Sequence, residues 1–136
     1  MYKEIAVLMN MTEDEVRFSP HLLVNAFDAE HKVLFWNARC EKYFGISEKE
    51  AMGKKLEDIV PRVRNNKRMV HLERALSGLP VYLANGKYEK EDGRYDQVLF
   101  PIKDAGGKVV AAVNIVIDLD LVKTVYRMPG LESWLN

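Results

Sequence analysis

The stretch from Val33 to Lys54 constrains this chain most: an apolar run ends at Trp36-Asn37 and passes directly into a helical pattern closed by Gly45. Val33-Leu34-Phe35-Trp36 reads as a strand. An asparagine directly after it stops the strand and caps the next helix, because its side-chain oxygen can accept from a backbone N–H of the first turn. Cys40, Tyr43 and Phe44 then fall on roughly one helix face, and Gly45 supplies the left-handed stop. A second short helix begins at Ser47, with Glu50 three residues on as a capping box, and ends at Met52-Gly53.

Upstream, Ile5, Leu8 and Met9 lie at helical spacing, and Thr12 with Glu15 forms another capping box ahead of Val16 and Phe18. These signals predict an amphipathic N-terminal helical cap over residues 1–19. Ser19-Pro20 breaks it, Leu22 to Phe27 predicts a first strand, and Asp28-Ala29-Glu30-His31 turns the chain into the second at Val33. Leu56 to Val60 gives one further turn ended by Pro61. Asn65 or Asn66 is placed to cap a longer helix that runs to Ser77 and is closed by Gly78 and Pro80. Three more strands are predicted, Val81 to Tyr88, Arg94 to Ile102 and Val109 to Ile117, joined by Glu91-Asp92-Gly93 and Asp104-Ala105-Gly106-Gly107. The helices sit between the second and third strands, so the expected class is α+β: a five-stranded, mostly antiparallel sheet with helices on one face.

The last strand is apolar on both faces, with Val109, Ala111, Val113, Ile115 and Ile117 on one and Val110, Ala112 and Val116 on the other. Such a strand is covered on both sides. The helices account for one side, and the other is left for the N-terminal helix, a second subunit, or both. The expectation is a homodimer packed through the sheet face and the N-terminal segment; complete cover by the chain's own N-terminal helix is the equal alternative.

Charge narrows the function classes. Lys plus Arg balance Asp plus Glu at 20 each, so no global field draws the molecule to nucleic acid or to an anionic membrane. The longest apolar run, Val109 to Ile117, falls far short of the roughly twenty residues that span a bilayer, and the N-terminus lacks a signal-peptide pattern. The lone Cys40 can form no internal disulfide, in keeping with a reducing cytoplasm. A soluble, cytoplasmic protein without direct nucleic-acid or membrane partners is expected.

The order Trp36-Asn37, Phe44-Gly45-Ile46-Ser47 and Glu50-Ala51-Met52-Gly53-Lys54 resembles the Per-Arnt-Sim (PAS) sensory domains. The likeness continues through Leu76-Ser77-Gly78-Leu79-Pro80-Val81, Glu91-Asp92-Gly93-Arg94 and Gly106-Gly107-Lys108-Val109-Val110 to Asp118-Leu119, so that it spans about residues 20–119. It implies a PAS domain over 20–119, followed by a short C-terminal helix and tail over 120–136. Leu119, Val122, Val125 and Tyr126 lie at helical spacing there before Pro129-Gly130. In the family this point starts a linker to an output domain, which would make Asp118 a signal-relay residue; helix capping is its plainer role.

The resemblance also implies a cavity between the long helix and the sheet that can hold a small molecule. The candidate wall residues are Met69, Leu72, Glu73 and Leu76 on the helix, Tyr82 and Ala84 on the third strand, Val98 and Phe100 on the fourth, and Asn114 on the fifth. Asn114 stands out, because an amide buried in that apolar run must find a hydrogen-bond partner: a ligand, a backbone group or a dimer contact. Haem-binding members ligate iron through a histidine of the long helix, but His71 points well away from the stripe of Met69, Leu72 and Leu76 and is expected in solvent. The position at the family's ligand spacing is Arg68, which cannot bind iron. The flavin photosensors use an Asn-Cys-Arg motif on a later helix, whereas Asn37-Ala38-Arg39-Cys40 has other spacing and sits on the first, so Cys40 reads as a core residue.

No cofactor and no metal is therefore expected, and no pattern for catalysis is present: there is no phosphate loop, no nucleophile elbow and no paired metal ligands. The expected function is a signal-sensing and dimerisation module, not an enzyme, of a prokaryotic sensor histidine kinase or transcriptional regulator. It would bind a small molecule and relay through the C-terminal helix to the kinase or regulator output domain. The alternative is a ligand-free structural interaction domain. A small enzyme of the same fold would need an ionisable pair in the pocket, for which Glu73 is the one candidate.

Overall fold

A computed structural model describes residues 2–61, 63 and 68–120. Two short helices open the chain, α1 (Tyr2–Met9) and α2 (Glu13–Phe18), the second started by a reciprocal capping box between Thr12 and Glu15. Strands β1 (Leu22–Asp28) and β2 (Val33–Trp36) form an antiparallel pair. Helices α3 (Ala38–Phe44), α4 (Glu48–Ala51), α5 (Leu56–Ile59) and α6 (Arg68–Leu76) follow, and then β3 (Val81–Lys87), β4 (Arg94–Lys103) and β5 (Val109–Asp118). The sheet runs β2-β1-β5-β4-β3, with every neighbouring pair antiparallel.

The strand-to-helix corner is built as its sequence predicts. Asn37 Oδ1 accepts from Cys40 N at 3.2 Å and closes the first turn of α3, while Gly45, at φ 69°, ends it with its N–H on Glu41 O. Ser47 caps α4 by accepting from Glu50 N. Asn37 does more than cap: the same oxygen accepts from Val24 N in β1, and its Nδ2 donates to Val16 O in α2 and Leu22 O. One fully buried side chain thus ties α2 and β1 to the strand-helix corner.

The sheet separates two apolar clusters. On the side of α3 to α6, Leu23, Phe27, Trp36, Leu72, Ala75, Leu99, Ala112 and Val116 pack together. On the other side, Ile5, Ala6 and Val16 of the N-terminal helices pack on Val24, Ala26, Phe35, Val113 and Ile115. The chain's own helices therefore cover the second face over β1, β2 and β5. The predicted stripe of α1 needs one change: Ile5 is buried and Met9 half-buried, but Leu8 is 60% exposed beside Val7 at 73%, and Ala6 takes the inward place. The proposed caps Asn65 and Asn66, and the C-terminal residues 121–136 with Val122, Val125, Tyr126 and Pro129-Gly130, lie outside the described residues.

Candidate binding cavity

A cavity of about 90 Å³ lies between the inner face of the sheet and the helices. Alternation along the strands decides its floor. Leu23, Asn25 and Phe27 of β1, Asn114 and Val116 of β5, and Tyr95, Gln97 and Leu99 of β4 all point inward. Its roof is Tyr43 and Phe44 of α3, Leu56 of α5, Val60, Val63, and Arg68 and Leu72 of α6, with Tyr88 closing one end. By the volume that one water needs, the space has room for roughly six to nine water-sized atoms.

Across this apolar floor runs a ladder of three carboxamides. Gln97 Nε2 donates to Asn114 Oδ1 at 2.7 Å, and Asn114 Nδ2 donates to Asn25 Oδ1 at 3.0 Å. Asn25 and Asn114 are direct partners across β1 and β5, while Gln97 reaches Asn114 diagonally from β4, whose partner opposite Asn114 is Leu99. Asn25 is 2% exposed; Gln97 and Asn114 are half-buried and reach the cavity. The partner Asn114 needs is thus neither a backbone group nor another subunit, but amides on the two flanking strands.

The loop from Tyr88 to Gly93 lies across one end. Tyr88 stacks within 5.8 Å of Tyr43 and 4.8 Å of Tyr95, ring centre to ring centre. The Arg39 guanidinium sits 5.7 Å from the ring centres of both Tyr43 and Tyr88 and is paired with Glu91. Glu89 accepts from Arg68 at 2.9 Å, and its backbone N–H donates to Tyr43 Oη at 3.3 Å. Burial, helped by the Asp118 carboxylate, pushes the Tyr88 hydroxyl up to about 12. A second groove of about 120 Å³ shares Tyr43, Phe44, Val60 and Arg68 with the cavity and extends past Pro61, Glu89 and Lys90.

Of the sequence candidates, Leu72 and Asn114 stand on the cavity wall. Met69 and Leu76 pack against the inner cluster without forming the wall. Glu73 is on the surface, paired with His31, which is held from its other ring nitrogen by Glu57 at 3.5 Å. Four residues are on the wrong face of the sheet. Val98 and Phe100 point outward, where Phe100 packs on the N-terminal cluster, and Tyr82, 62% exposed, donates to Asp96 at 2.5 Å beside exposed Ala84. The inward set on β3 and β4 is the alternate one, Val81 and Leu83 with Tyr95, Gln97 and Leu99.

His71 is half-buried rather than in solvent, with no hydrogen-bond partner for Nδ1, and does not line the cavity. Cys40 is fully buried, its thiol donating to Val24 O at 3.2 Å and pushed up to about 12 by that burial. Asp118 accepts from Asp120 N at 2.9 Å, a local turn at the end of β5. Among the described residues no cluster of His, Cys, Asp or Glu is placed to hold a metal ion, and no helix is long and apolar enough to cross a membrane. Among the wall residues that sequence reasoning missed are the polar Asn25 and Gln97 and the tyrosines 43, 88 and 95. Asn25 carried a usable signal: it is the one uncharged polar residue in the apolar run Leu22 to Phe27, as Asn114 is in its own.

A family model described as a PAS fold matches residues 19–123. No curated protein matches the chain. Similar solved structures include the PAS domain of histidine kinase ThkA, 17% identical over 72% of this chain and 99% of that one, with a TM-score of 0.61. A sensory box sensor histidine kinase from Vibrio cholerae is 12% identical, covering 85% and 92%, at 0.61. The PAS domain of BvgS from Bordetella pertussis is 18% identical, covering 79% and 86%, at 0.59. Identities this low speak for a shared fold and leave the ligand and the output to each protein's own residues.

Proposed function

Because the chain belongs to the PAS family, we propose that it is the signal-sensing and dimerisation module of a prokaryotic signal-transduction protein, of the sensor histidine kinase or transcriptional regulator kind. A small molecule occupies the helix-sheet cavity, and its presence is passed along β5 to Asp118 and the residues that follow. The observation that carries this reading is the carboxamide ladder on the cavity floor. A protein that needed only a filled core would gain by replacing Gln97 and Asn114 with apolar side chains, whereas polar groups facing a space of this size give a ligand something to bind.

The reading is of a cytoplasmic module without catalytic residues, haem or flavin. Glu73, the ionisable candidate for an enzyme, is 59% exposed and engaged with His31, and Arg68 stands where a haem ligand would be required. Dimerisation falls to the outward face of α1, where Val7 and Leu8 leave apolar surface uncovered. That patch also favours the second reading, a ligand-free interaction domain.

Native mass spectrometry of freshly purified protein, compared with the denatured mass and with an absorbance scan, tests these readings together. An extra mass on each subunit, lost on denaturation and colourless, is the expected result. A visible chromophore would overturn the cofactor-free reading. A dimer at the bare polypeptide mass, with no small molecule taken up on titration, would sink the sensing reading and leave the interaction domain.

A further inference from the structure

The free edges of the ladder say what kind of molecule the cavity takes. A carboxamide carries two N–H donors and an acceptor oxygen. Gln97 spends one N–H on Asn114, and Asn114 spends its oxygen on Gln97 and one N–H on Asn25. Among the described residues, Gln97 Oε1 and the second N–H of Gln97 have no protein partner, and both belong to a side chain on the cavity wall. The wall therefore offers an acceptor and a donor side by side. Formal charge is absent from this floor, and among the described residues the one charged side chain lining the cavity, Arg68, is already met by Glu89. The space is bounded opposite the ladder by the flat rings of Tyr43 and Phe44, at one end by Tyr88, and on the floor beside Gln97 by Tyr95.

We infer that the ligand is an uncharged, planar ring of about six to nine heavy atoms with a hydrogen-bond donor and acceptor on one edge, of the cyclic-amide or hydroxylated nitrogen-heterocycle class, paired edge to edge with Gln97. This rests on the reading of the cavity as a ligand site and adds the chemistry of the occupant. A carboxylate would have to pull Arg68 from Glu89 or lie against neutral amides. An ammonium would meet no anion among the described wall residues. A hydrocarbon would leave the Gln97 edge unpaired, a loss of roughly tenfold or more in affinity relative to a matched edge.

The test uses the full chain, labelled with nitrogen-15, and four probes of similar size: 2-pyridone, benzoate, benzylamine and toluene. Titrations followed by the side-chain amide signals of Gln97 and Asn114 give each dissociation constant. The expected result is that 2-pyridone binds at least tenfold more tightly than the other three and shifts those signals, and that Gln97→Leu abolishes this preference while leaving toluene binding in place. Persistence of toluene binding shows that the variant is folded. Tighter binding of benzoate or benzylamine, or an unchanged 2-pyridone affinity in Gln97→Leu, overturns the inference while the cavity remains a ligand site. Failure of all four probes to bind overturns both the inference and the sensing reading.

Discussion

Asn37 makes four side-chain hydrogen bonds from a site with no solvent exposure. Replacing it with alanine removes the cap of α3 and strands the N–H of Val24 and the carbonyl of Val16 in the interior, so Asn37→Ala should cost about 3 kcal/mol or more. Urea denaturation measures it; a loss below about 1 kcal/mol would mean that water replaces the amide at little cost. The cap was legible in the sequence because Asn37 acts on its own next turn. Its bonds to Val16 and Val24 were not, because a sequence shows no distance between α2 and β1. The same holds for the ladder: Asn25 and Asn114 are visible as lone amides in apolar runs, but their meeting depends on register.

Cys40 offers a second test at this scale. Burial pushes its thiol up to about 12, whereas in the unfolded chain it ionises near 8.5. The folded state therefore keeps a proton that the unfolded state gives up. Stability from this source is complete below about pH 8.5 and is lost as the pH climbs towards 12. The urea midpoint of the wild-type protein should fall more steeply between pH 8.5 and 11 than that of Cys40→Ala. Parallel slopes would rule the thiol out as a source of alkaline instability.

Among elements, the strands were readable and their facing was not. The predicted and observed limits of β3, β4 and β5 agree within a residue, because turn residues and apolar runs mark them directly. Facing failed on β3 and β4 for a physical reason. Period-two alternation assigns a face when one face is wet, but on β4 both sets are apolar enough to be inside: Tyr95 and Leu99 inward, Val98, Phe100 and Ile102 outward. On β3 a bulge follows between Leu83 and Gly86, with Asn85 at φ 56°. Gly86 is needed there because a Cβ would lie 2.5 Å from the Tyr95 ring. Gly86→Ala should therefore destabilise by about 1–3 kcal/mol, as overpacking does. In a Tyr95→Leu background most of that penalty should vanish in a double-mutant cycle, and an equal penalty in both backgrounds would place the strain in the backbone instead.

For the whole molecule, the two-sided apolar character of β5 was the informative signal, and it led to the right conclusion that both faces are covered. What it left open was the identity of the cover. The chain's own helices take much of it, and Val7 and Leu8 of α1, with Phe18 of α2, are among the apolar side chains they leave outward. If those residues pair two subunits, Leu8→Glu should turn a dimer into a monomer in sedimentation velocity without lowering the monomer's unfolding free energy by more than about 0.5 kcal/mol, since the position is exposed. A wild-type protein that sediments as a monomer at tens of micromolar would end the dimer proposal.

The place of β5 in the strand order also bears on how this protein survives crowded, concentrated conditions. Val109 to Ile117 is the kind of uncharged, β-branched segment that stacks into fibrils when bare, and the fold puts it in the middle of the sheet, hydrogen-bonded on both sides by β1 and β4. The sheet margins go to β2, only four residues long, and to β3, kinked at Asn85-Gly86 and ending in Lys87, both poor templates for another chain. Resistance to aggregation is therefore a property of strand order here, and it lasts only while β1 and β4 stay attached.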